Sequence, residues 1–87
     1  MKTFESLFSE LLEKQDLNSD VSNTSQLLAK GVHEIGKKVV EEAAEVWMAA
    51  EYESNDALAL EISQLIYHLQ VLMIAKGVSI KDIEDKF

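Results

Sequence analysis

The chain has no cysteine, no proline and only three glycines, and its aromatic content is 7%. Without cysteine there is no disulfide framework and no thiolate metal site, a composition suited to a reducing cytoplasm, which is the expected location. Without proline, and with so little glycine, nothing interrupts long helices. Basic residues are also scarce. Eight Lys and Arg stand against sixteen Asp and Glu, a formal charge of −8, which argues against a nucleic-acid partner. No continuous apolar run approaches the roughly 18 residues of a membrane-spanning helix, so no membrane segment is expected. The opening residues, MKTFESLFSELLEK, interleave acids with apolar side chains and are not a signal peptide.

At 87 residues the chain is expected to form one domain, residues 1–87. Hydrophobic residues make up 47% of it, more than so small a protomer covers easily, so a homodimer is expected. The apolar spacing is helical almost throughout and predicts an all-α fold. Thr3 caps a first helix ending near Lys14, with Phe4, Leu7, Phe8, Leu11 and Leu12 as its stripe. Residues Gln15 to Asn23 read as a loop, and Thr24 to Lys30 as a short helix stopped by Gly31. A long helix follows from Val32 to Tyr52, with Val32, Ile35, Val39, Ala43, Val46 and Ala50 as its apolar row, widened by Val40 and Trp47. Ser54-Asn55-Asp56 turns the chain into an antiparallel helix from Ala57 to Lys76. There Leu58, Ile62, Leu65, Leu69 and Leu72 have the spacing of a left-handed bundle seam. Gly77 ends that helix, and Ser79 caps a last one from Ile80 to Lys86.

Within this pattern the segment KKVVEEAAEVWMAAE sets Glu41, Glu42 and Glu45 close together on one helix, where like charges at i,i+3 and i,i+4 repel by a few tenths of a kcal/mol per pair. Glu61, Gln64 and His68 form a row on the next helix, and the hairpin brings the two rows nearly level. A carboxylate cluster either protonates in part or takes up a hard divalent cation. An oxygen-only set favours Mg²⁺ or Mn²⁺ over Zn²⁺. A solvated acidic face with ordinary i,i+4 pairs, such as Lys37 with Glu41 and Lys38 with Glu42, accounts for the same residues, and spacing leaves both readings open. His68 and Tyr67 read as packing or supporting groups rather than as a general base.

Glu41-Glu42-x-x-Glu45, a 15-residue spacer and Glu61-x-x-Gln64 resemble the EExxE, spacer, ExxD signature of the all-α nucleoside triphosphate pyrophosphohydrolases, with Gln64 where that pattern has aspartate. Two longer stretches, LLAKGVHEIGKKVVEEAAEVWMAAE and SNDALALEISQLIYHLQVLMIAKGVSIKDI, are similar to the phosphoribosyl-ATP pyrophosphohydrolases of histidine biosynthesis. The likeness runs over nearly the whole chain. It implies helical hairpins that dimerise into a four-helix-bundle core with short flanking helices. It also implies Mg²⁺-dependent cleavage of the α–β phosphoanhydride of phosphoribosyl-ATP, giving phosphoribosyl-AMP and pyrophosphate. On this resemblance Glu42, Glu45, Glu61 and Gln64 are metal ligands, Glu41 and Glu42 are catalytic, and Lys37 and Lys38 meet the substrate's phosphates. The alternatives are a housecleaning (d)NTP pyrophosphohydrolase with the same metal site, and a non-catalytic dimeric helical module.

Overall fold

A computed structural model describes residues 1–17 and 22–87. It contains five helices and, among the described residues, no strand: α1 (Phe4–Lys14), α2 (Asn23–Lys30), α3 (Val32–Tyr52), α4 (Asn55–Lys76) and α5 (Ile80–Glu84). The fold is all-α, as the periodicity predicts. Each start follows from a cap. Thr3 and Ser6 form a reciprocal capping box, as do Ser79 and Asp82, while Ser22 and Ser54 accept from the amides of Ser25 and Ala57. Because Ser22 and Ser54 are themselves the caps, α2 and α4 begin one and two residues earlier than the sequence suggests. The helix α5 ends at Glu84, short of Lys86. Part of the expected Gln15–Asn23 loop, residues 18–21, lies outside the described residues. Gly77 closes α4 in the left-handed region (φ 72°), and the Val78 amide returns to the Met73 carbonyl at 2.8 Å.

The most extensive contact is between α3 and α4, the expected antiparallel hairpin. Helices α1 and α2 cover its far end, where Phe8, Leu11, Leu27, Ile35, Val71 and Ile74 make one core cluster. Polar ties bind this cap to α4. The Gln70 amide, with no exposure, donates to the Phe4 carbonyl at 3.0 Å, and the Tyr67 hydroxyl meets Thr24 Oγ1 at 2.7 Å.

The buried faces are rotated from those the sequence suggests. On α3 the fully buried residues are Ile35 and Ala49, whereas Val39 and Val46 are half-buried and Val40 and Trp47 stand 69% and 70% exposed. On α4 the buried residues are His68, Gln70, Val71 and Ile74, while Ile62 and Leu69 of the leucine seam stay partly open. The small Ala49 side chain suits a close approach of the two backbones, and the bulkier apolar residues of α3 are left outside. By length and composition α4 is also apolar enough to cross a membrane (22 residues, mean hydropathy 1.5). A search for one continuous apolar run overlooks it, because Glu61 and several polar residues interrupt the run without lowering the average much. Its contacts with α1, α2 and α3 are those of the central helix of a bundle.

Candidate active site

Ile35, Glu42 and Ala49 recur every seven residues, so they occupy one stripe of α3. Ile35 and Ala49 are wholly buried against the rest of the fold, and Glu42 sits between them with its side chain 21% exposed. An acid thus occupies a position whose neighbours along the stripe are core residues. Across the hairpin the opposing stripe of α4 repeats the seven-residue step: Glu61 is half-buried and His68 is buried. His68 Nε2 lies 3.9 Å from Glu42 Oε1.

Glu61 feels the charges of Glu42 and Glu45 across the hairpin. The Glu61 carboxyl is pushed above its ordinary pKa, first by partial loss of hydration and then by the negative charges of Glu45, Glu42 and Glu53, with a carboxyl–carboxyl hydrogen bond to Glu45 adding to the shift. His68 is pushed the other way. Burial disfavours its charged form more than the Glu42 carboxylate favours it, and Lys38 adds to the lowering while Glu41 opposes it. Such a set of acids can share protons or share a cation. Among the described residues, no three acids or histidines are drawn together tightly enough to form a ready-made metal cluster.

The other predicted site residues lie around this centre. Glu41 and Lys38 pair at 3.2 Å on the exposed face of α3, and Lys37 pairs with Glu34 at 3.6 Å. The spacing suggests Lys37 with Glu41 and Lys38 with Glu42. The i,i+3 pairs form instead, leaving Glu42 turned toward His68. Lys37 and Glu41 also border a shallow groove of about 500 Å³ with Val32, His33, Gly36 and Val40. Gln64 is exposed and lines a groove of about 570 Å³ between the start of α1 and α4, beside Lys2, Thr3, Phe4, Leu7, Ser63, Ile66 and Tyr67. Glu61 therefore feels the charges of Glu45 and Glu42, while Glu41, Lys37 and Lys38 lie on the exposed face of α3 and Gln64 borders the α1 groove.

Sequence reasoning reads His68 as a packing or supporting group, and the structure buries it; it stands seven residues after Glu61 and so shares a stripe with it. Tyr67 stacks edge-on against the His68 imidazole, with ring centroids 4.9 Å apart and an interplanar angle of 73°.

Comparison with known proteins gives this arrangement a lineage. The family profile for phosphoribosyl-ATP pyrophosphohydrolase matches residues 1–87. Phosphoribosyl-ATP pyrophosphatases of Streptomyces avermitilis and Streptomyces coelicolor are each 64% identical over 84 residues, covering 94% of this chain and 92% of theirs. The protein of the same name from Bifidobacterium adolescentis is 61% identical over 83 residues, covering 95% of both chains. With a match along its whole length and an acid set facing across the α3–α4 hairpin, the chain belongs to the phosphoribosyl-ATP pyrophosphohydrolase family, enzymes that open a phosphoanhydride.

Proposed function

We propose that this enzyme hydrolyses the α–β phosphoanhydride of phosphoribosyl-ATP in a Mg²⁺-dependent reaction, giving phosphoribosyl-AMP and pyrophosphate in the second step of histidine biosynthesis, in the cytoplasm. The substrate follows from the relatives' names and their high identity along the whole chain. The observation that carries the chemistry is the raised pKa of Glu61, to which the charges of Glu45 and Glu42 contribute after partial loss of hydration. A carboxyl held back from ionising in part by two neighbouring carboxylates, in a set with only oxygen donors, fits a hard divalent cation in donor type and in charge. Glu42, Glu45 and Glu61 would hold it, and Gln64 offers an amide oxygen from the next turn of α4. When bound, the ion would neutralise phosphate oxygens and acidify a coordinated water.

The chain's own groups supply the rest. Glu41 is exposed, 3.2 Å from the Lys38 ammonium, and able to accept a proton from water. Lys37 and Lys38 face solvent, where the charge of an incoming polyphosphate arrives, and each can exchange its glutamate partner for phosphate oxygens. Burial of Glu42 beside Ile35 and Ala49 keeps bulk water from one side of the acids, which strengthens each charge interaction there.

The working unit is a homodimer. One wall of α4 opens onto a wholly apolar groove of about 630 Å³, lined by Phe4, Val32, Ile66, Leu69, Leu72, Met73, Lys76, Val78, Ile83 and Phe87. A second copy would cover it and complete a four-helix core.

Pyrophosphate release assayed side by side with phosphoribosyl-ATP, ATP and a dNTP panel, with and without Mg²⁺, tests the reading. Release from phosphoribosyl-ATP alone, abolished by chelation, is expected. Equal release from dNTPs would instead indicate a housecleaning enzyme. No release, together with no heat of Mg²⁺ binding, would leave only a non-catalytic module.

A further inference from the structure

A chain of side-chain contacts runs from the start of α2 into the acid set. The Tyr67 hydroxyl is held from two sides, by Thr24 Oγ1 at 2.7 Å and by Asn23 Nδ2, which donates at 3.3 Å. That fixes the ring, whose edge packs on the His68 imidazole at 4.9 Å between centroids. The imidazole in turn directs Nε2 toward Glu42 Oε1 at 3.9 Å. Its other nitrogen, Nδ1, is buried without a hydrogen-bond partner among the described residues, and Nε2 faces the Glu42 carboxylate. Thr24 and Tyr67 are 43 residues apart in sequence, and neither lies in the acidic motif.

We propose that Tyr67 and His68 are positioning residues: α2, through the Thr24–Tyr67 hydroxyl bond and the edge-on ring contact, sets the direction in which His68 aims its Nε2 and thereby the orientation of Glu42 within the acid set. The inference rests on the reading of Glu42 as a metal ligand. It adds that the ligand's aim is fixed by a helix that contributes nothing else to the site. Glu42 is the natural acid to be held in this way. It is the most enclosed of the α3 acids, Glu41 and Glu45 both being exposed, and it lacks a lysine partner at i,i+3 or i,i+4. At 3.9 Å the contact stops short of a hydrogen bond; a small turn of either side chain closes it, which keeps one Glu42 oxygen on the imidazole and leaves the other for a cation, and loss of such a supporting contact typically weakens metal binding about 10- to 100-fold.

Mn²⁺ affinity of the substrate-free protein, read from the electron paramagnetic resonance signal of free Mn²⁺, tests this beside thermal melting of the metal-free protein. His68→Phe keeps an aromatic ring of similar size and removes the donor. It should weaken Mn²⁺ binding at least ten-fold while leaving the metal-free melting temperature unchanged or raised, because the unpartnered Nδ1 goes with it. His68→Gln, which returns an N–H near the position of Nε2, should restore most of the affinity, which a purely structural role would not. Tyr67→Phe removes one oxygen and should weaken binding several-fold, and Thr24→Val should add little on top of it. Glu42→Gln is the control for the underlying reading. If Glu42→Gln leaves Mn²⁺ affinity intact, the metal site itself is misassigned. If Glu42→Gln weakens binding but neither His68→Phe nor Tyr67→Phe does, the positioning role alone is overturned. Should His68→Phe fail to fold, the Tyr67→Phe result decides.

Discussion

Leu69 gives the proposed dimer a quantitative test. In the single chain it is 40% exposed, on the wholly apolar groove, and it belongs to neither the acid set nor the rim. Fully burying a leucine is worth about 1.5–3 kcal/mol, so covering the remaining two-fifths contributes roughly 0.6–1.2 kcal/mol per copy. A two-fold interface counts it twice, about 1.2–2.4 kcal/mol per dimer. Leu69→Ala should therefore raise the dimer dissociation constant roughly ten- to fifty-fold. The three-fifths already buried within the protomer adds a separate cost of about 1–2 kcal/mol to folding, which is independent of protein concentration. Sedimentation equilibrium across a concentration series separates the two, because only the first moves the monomer–dimer midpoint. A parent protein that sediments as a folded monomer at micromolar concentration would refute the dimer. An unchanged midpoint for Leu69→Ala would move the interface off this groove.

Three further substitutions probe the acids and their support. The raised Glu61 pKa means that the folded chain binds a proton more tightly than the unfolded chain does. Metal-free stability should therefore fall as pH rises from the unfolded carboxylate value through the raised folded one. Glu61→Gln should remove that fall, raise metal-free stability at neutral pH and abolish pyrophosphate release; chemical denaturation across a pH series and a turnover assay check it, and surviving turnover at ordinary Mg²⁺ would exclude Glu61 from the site. Gln64→Asp should lower the metal-free melting temperature by adding a like charge near the acids and should enlarge the Mg²⁺-induced rise. If melting scans show neither change, Gln64 stands outside the metal shell. Gln70→Met should leave stability level or raise it by about 1 kcal/mol: the Phe4 carbonyl keeps its place in the α1 ladder, while a buried amide oxygen with no described partner, costing about 1–3 kcal/mol, disappears. A loss of more than about 1 kcal/mol by urea titration would show that the tie to α1 outweighs that penalty.

The helices were legible because their punctuation is local. Thr3, Ser54, Gly31, Gly77 and Ser79 each act through their own backbone and nearest neighbours, so cap and stop chemistry places α1, α3, α4 and α5 to within one or two residues. Which side of a helix is covered is not local. The rows through Val39, Val46 and Trp47 and through Ile35, Glu42 and Ala49 both have helical spacing, and hydrophobicity favours the first. The fold turns the second inward, since the alanine allows close approach and the bulky row is left where a second chain can reach it. Periodicity tells which residues share a face. It does not tell whether that face meets a neighbouring helix or another molecule.

The same ambiguity made the acid set hard to weigh. An EExxE segment read as a solvated face predicts exposed glutamates, each paired with a lysine, and Glu41 with Lys38 conforms. Glu42 does not conform. It stands in a buried stripe between Ile35 and Ala49, opposite a buried histidine, and its charge helps to hold the Glu61 carboxyl back from ionising. A leucine there would suit packing better, because it would bring apolar contacts with no charge to desolvate. A chain that otherwise caps every serine-started helix and keeps its charges outside breaks its own rule at this one stripe, and such local conflicts concentrate where binding or catalysis needs the residue. Glu61 repeats the conflict across the hairpin. Two violations on facing helices, at a level where their carboxyls interact, are harder to assign to chance than either alone, and they fall on the residues through which the family pattern runs.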